Sequence, residues 1–214
     1  MANIKDILKS TTFLAILACW LWSTAFANVK IGLQYSAPFQ FAGIRFIISG
    51  IILFIYFGKP RIIYNEFKAY WKFILLLSVM QFSAQYAFFY MGMKYVPGAL
   101  GAMIIGSSPL FIAVVAHFMM HNDKMTPIKI GSIVVGISGI AIITLGRSKV
   151  EIKSEFELLG IGLLFMNNIF SGFSNVMVSK YQTGRSPLVL SATSLFIGGL
   201  MLFVVAIPVE GINW

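Results

Sequence analysis

The stretch PGALGAMIIGSSPLFIAVVAHFMM, residues 97–120, decides the fold because it is long, apolar and free of charged side chains. A helix rises about 1.5 Å per residue, so about 20 apolar residues cross the hydrocarbon core of a bilayer. The stretch therefore indicates a transmembrane helix. Small residues that let a neighbouring helix approach closely recur along it: Gly98, Gly101, Ala102 and Gly106.

The composition extends this interpretation to the whole chain. Of the 214 residues, 58% are hydrophobic and only 11% are charged, and the mean hydropathy is +0.87. Soluble domains carry about 25% charged residues, so a polytopic membrane protein is indicated. The net charge of +9 does not point to nucleic acid, because the basic residues lie in short gaps between apolar runs. The expected partners are the lipid bilayer and a small-molecule substrate, with no nucleic acid.

Seven segments are long and apolar enough to cross a membrane, and the gaps between them are short. They cover roughly residues 13–34, 38–57, 70–93, 97–120, 128–145, 158–179 and 187–207. The predicted fold class is an all-α integral membrane protein, a polytopic helical bundle of about seven transmembrane helices.

The distribution of lysine and arginine predicts the orientation. With the N-terminus in the cytoplasm, ten of the sixteen basic residues fall on the cytoplasmic side, five on the outer side and Arg45 within a span. The predicted location is the cytoplasmic (inner) membrane. Lys5, Lys9, the apolar run 13–21 and "AFA" at 25–27 also resemble a signal peptide. A retained first helix is favoured, because the apolar pattern continues to Leu33.

A short internal echo predicts two related units. "FANV" at 26–29 matches "FSNV" at 173–176, and Pro38 has a counterpart in Pro187. Helix 6 is displaced from helix 1 by five spans, an odd number, so such a repeat is inverted, as in many transporters. The expected domains are a first five-helix unit, 1–146, and a partial second unit of two helices, 147–214. The whole is then an incomplete ten-helix inverted repeat.

Several motifs resemble one known family. "WSTAFANVKIGL" at 22–33, "RFIISGIIL" at 45–53 and the segment 94–143, with its Ser-Pro-Leu-Phe step and Thr-Pro helix start, resemble an EamA-type domain of the drug/metabolite transporter superfamily. The resemblance implies a ten-helix inverted-repeat transporter of small metabolites. Two departures stand out: Ser23 follows Trp22 where the family often has glycine, and the last three helices are absent.

Two prolines in the segment 94–143 carry local predictions of their own. Thr126 is expected to cap a helix that begins at Pro127, where a missing N–H costs nothing. Pro109 lies in mid-helix and removes a backbone hydrogen bond, which Ser107 and Ser108 can compensate. The resulting kink is either a hinge or a static bend.

Polar residues cluster near the middle of the predicted spans. Gln81 and Gln85 are four residues apart and share a helix face, as do Arg45 and Ser49. Such residues either bind helices to one another or line a polar cavity at the midplane, where transporter sites lie. The candidate substrate-binding residues are Trp20, Thr24, Arg45, Ser49, Gln81, Gln85, Ser107, Asn167 and Asn168.

Arg45 is the only charged residue in the stretch from Phe39 to Phe57. At about 1.5 Å per residue it lies roughly 4 Å from the helix middle and about 11 Å from the nearer interface, too far for easy snorkelling. It should therefore face the bundle interior beside Ser49. All seven acids lie in tails or loops, so its expected partners are backbone carbonyls, Gln81 or Gln85, an acid of the missing helices or an anionic substrate group. Structural and substrate-binding roles both stay open.

The distribution of titratable residues argues against an enzyme. The predicted spans contain no carboxylate, and the sequence has no metal-ligand cluster, no nucleophile–base pair and no phosphate loop. No catalytic residue, metal or cofactor is expected. Together with the resemblance, this favours a transporter, by alternating access, of small metabolites, and an exporter of amino acids or related compounds. The alternative is a truncated or non-transporting membrane protein that packs with a helix-donating partner or with copies of itself.

Overall fold

A computed structural model describes residues 10–120, 125–146, 155–182 and 184–211. Within these ranges the chain forms seven helices and no strand. They are α1 (Thr11–Gly32), α2 (Pro38–Phe57), α3 (Pro60–Tyr95), α4 (Gly98–Met119), α5 (Pro127–Gly146), α6 (Glu155–Tyr181) and α7 (Pro187–Glu210).

The predicted all-α membrane architecture is confirmed. Helices α1–α4, α6 and α7 are long and apolar enough to cross a bilayer, which makes six candidate spans among the described residues. Helix α5 is 20 residues long, and its described apolar part is Pro127–Gly139. The chain is therefore a multi-pass membrane protein, and the fifth span stays a prediction.

Proline marks the first residue of four helices: Pro38, Pro60, Pro127 and Pro187. The first-turn N–H groups of a helix have no internal partner, so proline loses nothing there. At the start of α5, the backbone N–H of Lys129 donates to Thr126 Oγ1 at 3.3 Å. The predicted threonine cap is thus present.

Helix α3 differs most from its prediction. The expected span began at residue 70, whereas the helix begins at Pro60 and is 36 residues long. Residues 60–69 mix apolar side chains with Arg61, Glu66 and Lys68, so a search for apolar runs passes over them. A non-helical backbone at Tyr70 (φ −125°, ψ 21°) separates this amphipathic part from the rest of the helix.

Helix α4 is divided at Ser107, two residues before Pro109, as the sequence predicts. The parts are Gly98–Gly106 and Ser108–Met119. The carbonyl oxygen of Ile104 accepts from the backbone N–H of Ser107 at 3.1 Å and from Ser107 Oγ at 2.6 Å. The serine hydroxyl therefore stabilises the break.

Helices α2 and α7 form the tightest pair, and they run antiparallel because the start of α2 lies at the end of α7. A Cβ atom on Gly50 would lie 2.9 Å from the backbone nitrogen of Phe196, and one on Gly199 would lie 2.8 Å from that of Ile47. Neither distance is sterically acceptable, so this packing requires glycine at both positions.

The start of α2 is capped by a residue from the far end of the chain. The backbone N–H groups of Phe39 and Gln40 donate to Glu210 Oε1 (2.8 Å) and Oε2 (3.0 Å). The Gln40 side chain also donates to the carbonyl oxygen of Gly211. A carboxylate is favourable at a helix N-terminus, so Glu210 binds α7 to α2.

Helix α6 packs on both α3 and α4. Leu164 of α6 is fully buried and belongs to one apolar cluster with Met93 of α3 and Ile104 of α4. Helix α1 is attached more loosely, and Val29 is its only buried residue among those described. The space between α1 and the packed helices α3, α4 and α6 forms a cavity.

Candidate substrate-binding cavity

A cavity with a volume of about 850 Å³ and several polar lining residues lies between α1, α3, α4 and α6. Its lining combines aromatic side chains from α1 and α3 with uncharged polar side chains from α3, α4 and α6. The lining residues are Ala18, Cys19, Trp22, Ser23, Phe26, Gln81, Gln85, Tyr86, Phe89, Ala102, Ile105, Gly106, Ser108, Pro109, Asn167, Ser171 and Asn175. No charged side chain lines it.

The two glutamines reach the cavity from an irregular part of α3. Residues Ser78–Ala84, which include Gln81, form a π-helical segment, and the α-helix resumes at Gln85. Ser83 Oγ donates to the carbonyl oxygen of Gly198 at 3.2 Å, which holds this segment against α7. π-Helical segments occur often at functional sites, and this one places both predicted glutamines on the cavity wall.

Helix α6 contributes a polar stripe. Asn167, Ser171 and Asn175 follow one another at four-residue intervals and line the cavity from one helix face. Asn175 Nδ2 donates to the carbonyl oxygen of Ser171 at 2.8 Å and to its Oγ at 3.2 Å. Asn167 is almost fully buried, with 3% of its surface exposed. Only Asn167 of this stripe was among the predicted site residues.

Asn168 and Ser107, both predicted site residues, lie behind the cavity wall. Asn168 Nδ2 donates to the carbonyl oxygen of Ile104 at 2.7 Å and to Ser107 Oγ at 3.1 Å. Both side chains are buried. Their amide and hydroxyl groups therefore connect α6 to the break in α4, and neither lines the cavity.

The predicted residues of α1 lie on a different face from the one that lines the cavity. Trp20 is 62% exposed, and the Thr24 hydroxyl donates to the carbonyl oxygen of Leu21, in its own helix, at 2.8 Å. The cavity is instead lined by Cys19, Trp22, Ser23 and Phe26. These four lie at positions i, i+3, i+4 and i+7 and so share one helix face. This spacing, together with the polar Ser23, could have identified the face from the sequence.

Arg45 reaches the bundle interior with only one end of its side chain, so the prediction is met in part. Its side chain is exposed, and Nη1 donates to the hydroxyl oxygen of Tyr90 at 3.0 Å. Tyr90 is a fully buried residue of α3, so one end of the guanidinium is tied to the helix bundle while the rest remains accessible. A tyrosine hydroxyl was not among the expected partners.

The side chains of Arg45 and Ser49 do not share a hydrogen-bond partner. Ser49 Oγ donates to the carbonyl oxygen of Arg45 at 2.8 Å, within α2 itself. Arg45 lines a narrow cleft beside the cavity with Val29 and four aromatic residues, Trp22, Phe26, Tyr86 and Phe89. These four aromatic residues also line the cavity, so they stand between it and the guanidinium.

Of the nine predicted residues, Gln81, Gln85 and Asn167 line the cavity, and Arg45 lines the adjoining cleft. The sequence did not identify the aromatic wall or Ser108 and Asn175 as site residues. In the described parts of the chain, no three His, Cys, Asp or Glu side chains are grouped to hold a metal ion. The lining can offer hydrogen bonds and aromatic surface to a ligand.

The family model of EamA-like transporters matches residues 9–145. The chain belongs to the EamA-like transporter family. The match confirms the resemblance drawn from the residues at 22–33, 45–53 and 94–143. It covers most of α1–α5 and therefore includes the α1, α3 and α4 walls of the cavity.

Relatives of this EamA-like chain include bacterial and plant proteins. An uncharacterized transporter of Bacillus subtilis, YvbV, is 25% identical over 94% of this chain and 64% of its own length. A WAT1-related chloroplastic protein of Arabidopsis thaliana is 28% identical over 88% of this chain and 45% of its own length. The chain thus spans less than two thirds of these relatives. No solved structure matches it.

Proposed function

We propose that the chain binds and moves small amphipathic metabolites, amino acids or related compounds, out of the cell by alternating access. The observation that carries this proposal is the cavity of about 850 Å³ with one aromatic wall and one wall of uncharged polar groups. Ligand cavities commonly measure about 300–1,000 Å³ and combine apolar surface with a few polar groups. Membership of a transporter family supports movement of the ligand across the bilayer.

The depth of the cavity supports alternating access. Asn167 lies close to the middle of Glu155–Tyr181, and Ser108 lies close to the middle of Gly98–Met119. Both line the cavity, which therefore lies near the centre of the spans. A midplane site is reached from either face when the helices around it rearrange.

The proposed location is the inner membrane, with the N-terminus in the cytoplasm. It rests on the two-to-one excess of basic residues in the gaps on one side of the spans. Export is proposed from the family resemblance.

A second candidate function is binding without transport by this chain alone. It is favoured by the greater length of the relatives, of which the chain spans less than two thirds. In that case a helix-donating partner or a second copy of the chain would complete the pathway.

The chain contains one cysteine, Cys19, which lines the cavity and is exposed, so it reports ligand binding without mutagenesis. Proteoliposomes loaded with a panel of labelled amino acids should show flux of at least one. The same compound should slow the reaction of Cys19 with a methanethiosulfonate reagent. Slower labelling without flux would favour the second candidate. A folded chain that shows neither effect would exclude both.

A further inference from the structure

One buried acceptor on the cavity wall has no donor. The side-chain oxygen of Gln85 is enclosed and accepts no hydrogen bond from any residue that the structure describes. Gln85 directly follows the π-helical segment and lines the cavity. An enclosed acceptor without a donor is unfavourable, so proteins rarely keep one unless it has a further use.

The neighbouring amide of Asn167 does not supply the donor that the Gln85 side-chain oxygen lacks. One terminal atom of this amide lies 3.1 Å from Asn168 Oδ1, and the other lies 3.1 Å from the backbone carbonyl oxygen of Gln85. The amide has one NH₂ group, which can face only one of these two oxygens at a time. The Asn168 amide nitrogen is already engaged with Ile104 and Ser107. In either orientation of the Asn167 amide, the Gln85 side-chain oxygen remains a surplus acceptor.

A surplus of acceptors selects a ligand that brings N–H or O–H donors. No carboxylate lines the cavity, so these donors would meet neutral oxygens. A primary ammonium group has three donors and no acceptor, which complements such a cluster. The χ3 torsion of glutamine has a broad energy minimum. The Gln85 side-chain oxygen can therefore rotate towards a ligand with little loss of energy.

We propose that Gln85 and Asn167 bind the amino group of the transported substrate and thereby set its specificity. The inference rests on the proposed function and says which residues bind the amino end of the ligand. The aromatic wall, with Trp22, Phe26 and Phe89, then faces the apolar part of the same molecule.

The test compares neutral amino acids with des-amino acids, the same carboxylic acids with hydrogen in place of the amino group, so that the comparison compound brings no donor at that position. Binding is measured as protection of Cys19, and flux is measured in proteoliposomes. The wild-type chain should bind the amino acid more tightly. Gln85→Leu should weaken amino-acid binding by about tenfold, the value of roughly one hydrogen bond, and leave binding of the des-amino acid within about twofold.

Two controls separate this role from a structural one. Gln81→Leu makes the same change one turn earlier, on the same wall, and should alter the binding of both compounds by the same factor. The thermal midpoint should be unchanged or higher in Gln85→Leu, because the variant removes an unpaired buried acceptor. A structural glutamine would instead give a lower midpoint and equal losses for both compounds.

The outcomes distinguish this proposal from the proposed function. Flux of amino acids and des-amino acids with equal affinity would leave transport standing and overturn the role of Gln85 and Asn167. Protection of Cys19 by amino acids alone, without flux, would support the amino-group site and count against transport by this chain. Equal losses of both ligands in Gln85→Leu, or no protection by any amine, would overturn the amino-group site.

Discussion

At the scale of single residues, Arg45 shows how a charge is accommodated in a chain with no acid in any predicted span. The hydroxyl of the fully buried Tyr90 accepts from Arg45 Nη1 at 3.0 Å, and the rest of the side chain remains exposed. A neutral partner satisfies one donor while the positive charge is kept. The guanidinium therefore remains a positive group beside the aromatic wall of the cavity.

Tyr90→Phe should lower the free energy of unfolding by about 1 kcal/mol, because it removes the acceptor of Arg45 and leaves the ring in place. For a chain of this size the thermal midpoint should fall by about 2–4 °C, measured in detergent micelles. Tyr86→Phe is the matched control, since no described residue is hydrogen-bonded to the Tyr86 hydroxyl. Equal shifts in the two variants would contradict the assigned role of Tyr90.

The residue scale also shows where sequence reasoning reaches its limit. The four-residue spacing of Gln81 and Gln85 correctly placed both on the cavity, because spacing alone determines which side chains share a helix face. Trp20 and Thr24 were assigned to the wrong face, because α1 is apolar around most of its circumference and no amphipathic pattern selects a side. Which face of such a helix is covered depends on tertiary contacts.

At the scale of helices, hydropathy and proline positions predicted the start of α2, α4, α5 and α7 closely. Two features of α3 were not predictable in this way. Its first ten residues are amphipathic and do not satisfy a hydropathy criterion, and its π-helical segment depends on contacts with α7 such as that between Ser83 and Gly198. Local sequence encodes apolar length well and encodes irregular helix geometry poorly.

Gly50→Ala and Gly199→Ala should each destabilise the chain by about 1–3 kcal/mol, because the new methyl group would overlap the backbone of the facing helix. Gly131→Ala in α5 is the matched control. A Cβ atom there meets nothing within 4 Å, and alanine favours a helix over glycine by about 1 kcal/mol. Thermal unfolding of the three variants measures the difference. A midpoint in Gly50→Ala as high as in Gly131→Ala would refute close packing of α2 on α7.

At the scale of the whole molecule, the bundle combines a tight part and a loose part. Helices α2 and α7 meet through glycines and a shared cap, whereas α1 buries only Val29 among its described residues. The cavity lies between α1 and the packed helices. A loosely held wall can move at a lower energetic cost than the packed pair, so α1 is the element expected to open the cavity.

The predicted orientation can be tested with single cysteines in a Cys19→Ala background. Tyr35, between α1 and α2, is 82% exposed, and Lys59 lies between α2 and α3, at the opposite end of α2. If the N-terminus is cytoplasmic, Tyr35→Cys should react with a membrane-impermeant maleimide on intact cells. Lys59→Cys should react only after permeabilisation. The reverse pattern would invert the proposed topology.

The cap of α2 by Glu210 also bears on the order in which the chain is made. The residues in this contact, Phe39 and Glu210, are 171 positions apart. At about 5–20 residues per second, a ribosome needs roughly 10–30 seconds to cover that distance. During this interval the first N–H groups of α2 lack their acceptor, Glu210. The glycines of α2 also lack the helix against which they pack, α7. The nascent chain would thus complete this pair only when its last described helix emerges, and an early-stopped chain would leave α2 without α7.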